Sequence, residues 1–326
     1  MRSVIGIDVS KAKIDVLWLK DAITLKAKSK VFSNNRKGHA ELLVWLSKHV
    51  DRPLSEIHVV MEATGIYHEA LAYWLFDHQL CVSVINPAYA RDFAKGLGTV
   101  HKTDKADSLI LARYGVMANP PLWQPEPMAI RELKALIARI DALEMDMQRE
   151  KNRLEKSEFN GTSSLVIQSL HNMISLLDAE RIRLEKNIDD PIDRHPDLKE
   201  DLRLLRTIPG IGPVVSRVMV AMIRSRPFET ASECAAFLGV IPQLKESGVF
   251  RGRSSLSKKG PPKVRAKLYM AAIVASQYNP DIKAQKERLL KNGKNKMQAL
   301  GAAMRKLVHQ CFGVLKHQTE YCLQAT

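Results

Sequence analysis

Residues 1–125 predict one mixed α/β sheet, residues 126–200 a pair of long helices, and residues 201–326 a mainly helical domain. Three observations carry this reading. Apolar and β-branched residues first recur at strand spacing and then alternate between helical and strand patterns. Pro120, Pro121, Pro125 and Pro127 then interrupt the chain. Beyond them Leu, Ile and Met recur every three, four or seven residues amid Lys, Arg and Glu.

The elements follow in order. "SVIGIDVS", "KIDVLWLK" and "TLKAKSKVFS" read as three strands joined by short turns, which suits an antiparallel meander. "GHAELLVWLSKHV" carries Leu42, Leu43, Trp45, Leu46 and Val50 at helical spacing, and "EIHVVMEAT" is an apolar run suited to a buried strand. "YHEALAYWLFDHQL" is a helix, "CVSVINP" a strand ending at Pro87, and "DKADSLILARYGVMA" a helix. The order β-β-β-α-β-α-β-α in one mixed sheet is the arrangement of the ribonuclease H-like fold.

After the prolines, Leu133, Ile137, Ile140, Leu143 and Met147 mark one long helix, and Leu170, Leu177 and Leu184 mark another with a coiled-coil seam. "EFNGTSS" separates them, so the seam suits either a hairpin within the chain or a coil between chains. "LLRTIPGIGPVVSRVMVAMI" then reads as a helix-hairpin-helix-like turn. Gly210 and Gly212 would let its backbone approach a phosphate at the following helix N-terminus, although an ordinary helix corner has the same sequence. Helices around "ASECAAFLGV", "KLYMAAIVAS" and "MQALGAAMRKLVHQCFGVL" complete the chain.

Composition narrows the function. A formal charge of +15 over 326 residues points to a polyanionic partner, nucleic acid first, because Lys and Arg near phosphates release condensed counterions. The run from Lys283 to Lys306 adds eight Lys or Arg against one Glu. Cys81, Cys234, Cys311 and Cys322 form no C-x-x-C pair, which argues against a zinc site or a disulfide framework and suits a reducing cytoplasm. No stretch approaches the roughly 18 apolar residues of a membrane helix.

Four acids stand where chemistry is expected. Asp8 ends the first strand, Glu62 ends an apolar strand in "VVMEATG", and Asp104 and Asp107 lie three apart at the start of a helix. Each has a plain alternative as a turn or helix-start residue. Together they form an all-oxygen donor set of the kind that holds two Mg2+ ions for phosphoryl transfer. Asp15 follows too soon and reads as structural.

The stretch "KESGVFRGRSSLSKKGPPKVRAK" contains eight basic residues, one Glu and four serines. Arg251, Arg253, Lys258 and Lys259 suit a nucleic-acid contact. By spacing alone Ser247, Ser254, Ser255 or Ser257 could each present a hydroxyl.

In this order, "GIDVSK", "MEATGIY", "VINPAYARDFAKGLG", "KTDKADSLILA", "IPGIGPVVS", "AAFLGVIP" and "ESGVFRGRSSLSKKG" resemble the DEDD-type transposases of bacterial insertion sequences, relatives of the Piv invertase. The resemblance spans nearly the whole chain. It implies that Asp8, Glu62, Asp104 and Asp107 form a RuvC-like, Mg2+-binding catalytic site and that Ser247 is the nucleophile, forming a phosphoserine link to DNA. It further implies donor and target double-stranded DNA as substrates, an element-encoded non-coding bridge RNA as guide, and work in the bacterial cytoplasm at the nucleoid. The need to cut two duplexes, with the coiled-coil helices, favours a homodimer that assembles to a tetramer. Two rivals stand beside this reading: a RuvC-like Holliday-junction nuclease that uses water, and a non-catalytic basic scaffold.

Overall fold

The computed structural model describes residues 2–63, 65–98, 104–188, 192, 194–243, 246–247, 250–251 and 255–323. These form two compact units, residues 1–125 and 126–326, so the segments 126–200 and 201–326 share one unit.

The first unit is built on a five-stranded sheet in the order β3-β2-β1-β4-β5. Strands β1 (Ser3–Val9), β2 (Lys13–Leu19) and β3 (Ala27–Ser33) pair antiparallel as the expected meander, while β4 (Ile57–Glu62) and β5 (Cys81–Ile85) add in parallel beyond β1. Helices α1 (Arg36–His49), α2 (Glu69–Asp77), α3 (Pro87–Gly96) and α4 (Asp104–Ala118) lie between or after the strands. Helix α3 is absent from the sequence expectation, which ended the strand at Pro87 and read on to α4. Its signal is local, since Asn86 caps it by accepting from Ala88 N at 2.8 Å and Pro87 occupies the first turn.

Alternation along the strands divides the core between the two faces of the sheet. Ile5, Ile7, Val9, Ile14, Val16, Val59 and Met61 pack with Leu42, Leu46, Leu71 and Leu75 of α1 and α2. Val4, Leu17, Leu19, Val60 and Ile85 pack with Leu111 and Ala112 of α4. The edge strand β3 buries only Phe32 among its residues and carries Lys28 and Lys30 outward, charges that discourage pairing with another edge.

His58, within β4, is only 2% exposed, and its Nε2 lies 2.8 Å from Ser83 Oγ. The Ser83 hydroxyl donates to the Pro121 carbonyl at 2.9 Å, so the imidazole donates to Ser83. Burial holds His58 and His39 below the ordinary histidine value of 6.5. The unfolded chain therefore protonates first as pH falls, so this stability is complete above 6.5 and is lost as pH drops toward the folded-state pKa values. All four tryptophans, Trp18, Trp45, Trp74 and Trp123, lie in this unit, so their fluorescence reports its melting in the full chain. The melting temperature is expected to fall between about pH 7.5 and about pH 5.5, above the ordinary carboxylate range, and to fall less in His58→Gln.

In the second unit, α5 (Met128–Phe159) and α6 (Ser164–Asn187) pack side by side as an antiparallel hairpin within the chain. At 32 residues α5 is about 48 Å long. Leu133, Ile140, Leu143 and Leu184 join the core of the unit, whereas Phe159 (91% exposed), Leu165 (81%) and Leu176 (66%) remain on the surface of the hairpin. The remaining helices are α7 (Pro196–Arg206), α8 (Pro213–Ile223), α9 (Ala231–Phe237), α10 (Pro262–Tyr278), α11 (Pro280–Lys291) and α12 (Lys296–His317). Short strands β6 (Pro242–Gln243) and β9 (Ser255–Leu256) pair antiparallel, as do β7 (Glu246–Ser247) and β8 (Phe250–Arg251). Among the described residues no helix is long and apolar enough to cross a membrane.

Candidate active site and nucleic-acid interface

Glu62 ends β4, and Asp8 is the last residue but one of the neighbouring parallel strand β1. Ile7 of β1 pairs with Met61 of β4, so the two acids occupy successive equivalent positions at the carboxyl ends of both strands. Asp8 alternates with Val4, and Glu62 with Val60, which places both acids on the α4 face. Both are half-buried.

Helix α4 brings its first turn to the same corner because two glycines let it sit directly on the strands. A Cβ at Gly6 would lie 1.9 Å from Ser108 O and 2.6 Å from Ala112 N; one at Gly115 would lie 2.7 Å from side-chain atoms of Val4 and Val60. Moving from residue 108 to 115 along the helix thus moves from position 6 back to position 4 of β1. The helix runs antiparallel to β1, with its N-terminal turn beside Asp8. Ser108 Oγ fastens that turn by donating to the Asp15 carbonyl at 2.8 Å. Asp107, adjacent to Ser108, is half-buried there, and Asp104 is the first residue of the helix.

Substituting Gly6 with Ala is expected to force α4 off the sheet, destabilising the first unit by about 3 kcal/mol or more. Gly313→Ala is a suitable contrast, since nothing lies within 4 Å of its added Cβ inside α12, and it is expected to stabilise by about 1 kcal/mol. Denaturant unfolding followed by tryptophan fluorescence for the first variant and by circular dichroism for the second would measure both.

The acids expected at this corner would offer only carboxylate oxygens, which suit a hard divalent ion. Among the described residues, no group of three or more His, Cys, Asp or Glu is gathered closely enough to hold an ion. The side chain of Asp104 lies outside the described residues. Asp15 is directly opposite Asp8 in the β1–β2 pair and is bound by Lys13 at 3.1 Å, in keeping with a structural part.

Ser247 pairs with Phe250, and Glu246 with Arg251, so serine and arginine stand on the two arms of one small hairpin. The β6–β9 pair closes the base of this excursion. Ser257 N donates to Ile241 O at 2.9 Å and Lys258 N to Gly239 O at 3.2 Å, stitching the basic strap to the end of α9. Lys258 and Lys259 are exposed beyond it. Arg253 and Ser254 lie outside the described residues.

The two glycines of the turn between α7 and α8 differ. Gly210 has φ +99, and its Cβ would approach Ala275 of α10 within 2.7 Å, so packing inside the protein accounts for it. Gly212 caps α8, and nothing lies within 4 Å of a Cβ there, which leaves its backbone open. Gly6, Ser108 and Gly115 are the residues missed by sequence reading. Glycine within the apolar strand "SVIGIDV" was the available signal.

The first unit is a mixed sheet with Asp8 and Glu62 on adjacent parallel strands and Asp107 in the first turn of the helix packed against them. Residues 5–157 match a family of IS110-type DEDD transposases, and residues 202–287 match the transposase IS116/IS110/IS902 family. The chain belongs to the IS110 family of transposases, DNA recombinases that act by phosphoryl transfer. It is 32% identical over 324 residues to the pilin gene-inverting proteins of Moraxella bovis and Moraxella lacunata, covering 98% of each chain. It is also 24% identical over 162 residues to the uncharacterized 43.6 kDa protein of insertion element IS110 from Streptomyces coelicolor, which covers 49% of this chain and 39% of that one. Among solved structures, Thermus thermophilus RuvC in complex with a Holliday junction substrate matches at 18% identity and a TM-score of 0.25, too low to support a shared fold. That match covers 38% of this chain and 100% of the other.

Proposed function

We propose that the protein is an RNA-guided recombinase that mobilises its own insertion sequence through a phosphoserine intermediate. The observation that supports this reading is that Asp8 and Glu62 lie near the carboxyl ends of adjacent parallel strands, beside the first turn of α4 that carries Asp107, in a sheet whose strand order suits a ribonuclease H-like, RuvC-like nuclease. Asp8, Glu62, Asp104 and Asp107 would hold two Mg2+ ions. Bound there, the ions would neutralise the clustered carboxylates and offset charge developing on the reacting phosphate.

Ser247 supplies the nucleophile. Its oxygen forms a bond to the scissile phosphorus while the bond from phosphorus to the 3′ oxygen breaks, and the serine proton passes through solvent to that leaving oxygen. A 3′-hydroxyl from the other duplex then attacks the phosphoserine, restores a phosphodiester and returns the proton to Ser247. The number of phosphodiester bonds is conserved, so exchange proceeds without hydrolysis. Arg251, Arg253, Lys258 and Lys259 bind and orient the backbone phosphates, and the open turn at Gly212 offers backbone N–H groups to another.

Base pairing by an element-encoded RNA would select donor and target DNA, in keeping with a protein whose basic surfaces address phosphates. The run from Lys283 to Lys306 suits this RNA, with affinity falling steeply with salt. Exposed Phe159, Leu165 and Leu176 on the helical hairpin favour self-association into a homodimer and then a tetramer, one duplex for each dimer.

The test supplies purified protein with its element's flanking non-coding RNA, donor DNA, target DNA and Mg2+. Recombined product, together with a protein–DNA species resistant to detergent, is expected only when RNA is present. Product at full rate without RNA would remove the guide, and metal-dependent cleavage without an adduct would select the water-using nuclease.

A further inference from the structure

The loops that leave β1 and β4 are held together by one side chain outside the acid set. Asn34 follows β3, and its Nδ2 donates to Ser10 O at 2.8 Å and to Tyr67 O at 3.0 Å. Ser10 lies two residues beyond Asp8, and Tyr67 five beyond Glu62. The Asn34 backbone N also donates to Ala12 O at 2.9 Å, so the same residue grips the β1–β2 turn twice.

With both amide protons committed to carbonyls, Asn34 Oδ1 can only accept. Its partner is His39 Nε2 at 2.9 Å, which must therefore carry the imidazole proton. His39 is 3% exposed and sits in α1, whose start lies against Ser33 because Gly38 has no Cβ. Burial favours the neutral ring that this tautomer needs. Asn35 caps α1 independently by accepting from Gly38 N at 2.9 Å, so the two adjacent asparagines divide the work: one starts the helix and the other spans the loops.

We propose that Asn34, oriented by His39, is a positioning residue that fixes the loops following Asp8 and Glu62 and thereby holds the spacing of the two carboxylates. This rests on reading those acids as the reacting corner. Asn34 touches neither acid through these bonds. It ties the main chain just beyond each of them, where small loop movements would alter the approach of the two carboxylates.

The experiment compares Asn34→Ala, His39→Ala and His39→Gln in the full chain, using hydrogen exchange without DNA, affinity for DNA and RNA, and single-turnover cleavage. In Asn34→Ala, amides of the segments 9–13 and 63–69 are expected to exchange about 10-fold faster while the rest of the sheet is unchanged. Nucleic-acid affinity should hold within about 2-fold as cleavage slows by about 10- to 100-fold. Glutamine at position 39 can still donate an amide proton to Asn34 Oδ1, so His39→Gln should regain most of what His39→Ala loses.

Unchanged exchange in both segments of Asn34→Ala would overturn the clamp. Loosened loops with undiminished cleavage would overturn its positioning role, as would a loss of cleavage that tracks loosening of the whole sheet. Full cleavage by Asp8→Asn would instead overturn the carboxylate reading, whereas the exchange measurement would still report on the clamp.

Discussion

Asp8→Asn is expected to reduce strand exchange by about 10³-fold or more while leaving the protein as stable as before, or more stable. The substitution keeps size and most hydrogen bonding but removes one of the two carboxylate charges that face each other across the β1–β2 pair. Asp8 stands directly across the β1–β2 pair from Asp15, an arrangement that opposes like charges on one face. Relieving it should contribute about 0.2–1 kcal/mol of stability. Glu62→Gln and Asp107→Asn are expected to behave in the same direction. Asp15→Asn is the control: it loses the ion pair with Lys13, yet retains exchange activity. Thermal melts beside recombination assays would separate the two classes. An Asp8→Asn protein that is destabilised and inactive would point to a structural acid. An active one would remove Asp8 from the reacting set.

The strand acids stand out in the sequence as candidates for a physical reason. Strands β1 and β4 are almost wholly apolar, so a carboxylate at the end of each stands out against what propensity and burial demand. The meander and the parallel strands were legible for a related reason: alternation in β2 and continuous apolarity in β4 reflect burial on one face or both. What sequence could not give was the close seat of helix α4 on the strands. Gly6 and Gly115 act by lacking a side chain, and their meaning appears only when helix α4 is found within contact of the strands. Asn34 was hidden similarly, since it acts on main-chain carbonyls 24 and 33 residues away. The paired strands around Ser247 escaped because each is two residues long, too short for any period to register.

The fold distinguishes Ser255 and Ser257, two of the serines that spacing left equivalent, from Ser247. Ser257 Oγ is buried with no hydrogen-bond partner among the described residues, and its backbone is bound to Ile241, so its hydroxyl cannot reach a nucleic-acid phosphate without unpicking the strap. Ser255 is exposed on β9, opposite Gln243 at the base of the excursion. Ser247 lies further out on the hairpin, with Arg251 on the facing arm. Under the phosphoserine reading, Ser247→Ala is expected to abolish the detergent-resistant adduct and to slow exchange by at least about 10⁴-fold, because no neighbouring hydroxyl substitutes for a nucleophile removed from its site. DNA and RNA affinity should stay within about 2-fold, since charge is untouched and counterion release depends on the Lys and Arg residues. Ser255→Ala should form adduct at the normal rate. Mass spectrometry of the digested adduct would assign the modified residue directly. An adduct that survives Ser247→Ala, or maps to Ser255, would move the nucleophile to the base of the hairpin. Exchange that persists at full rate with no adduct in any variant would leave attack by water or by a 3′-hydroxyl as the chemistry, with the basic strap serving only to bind.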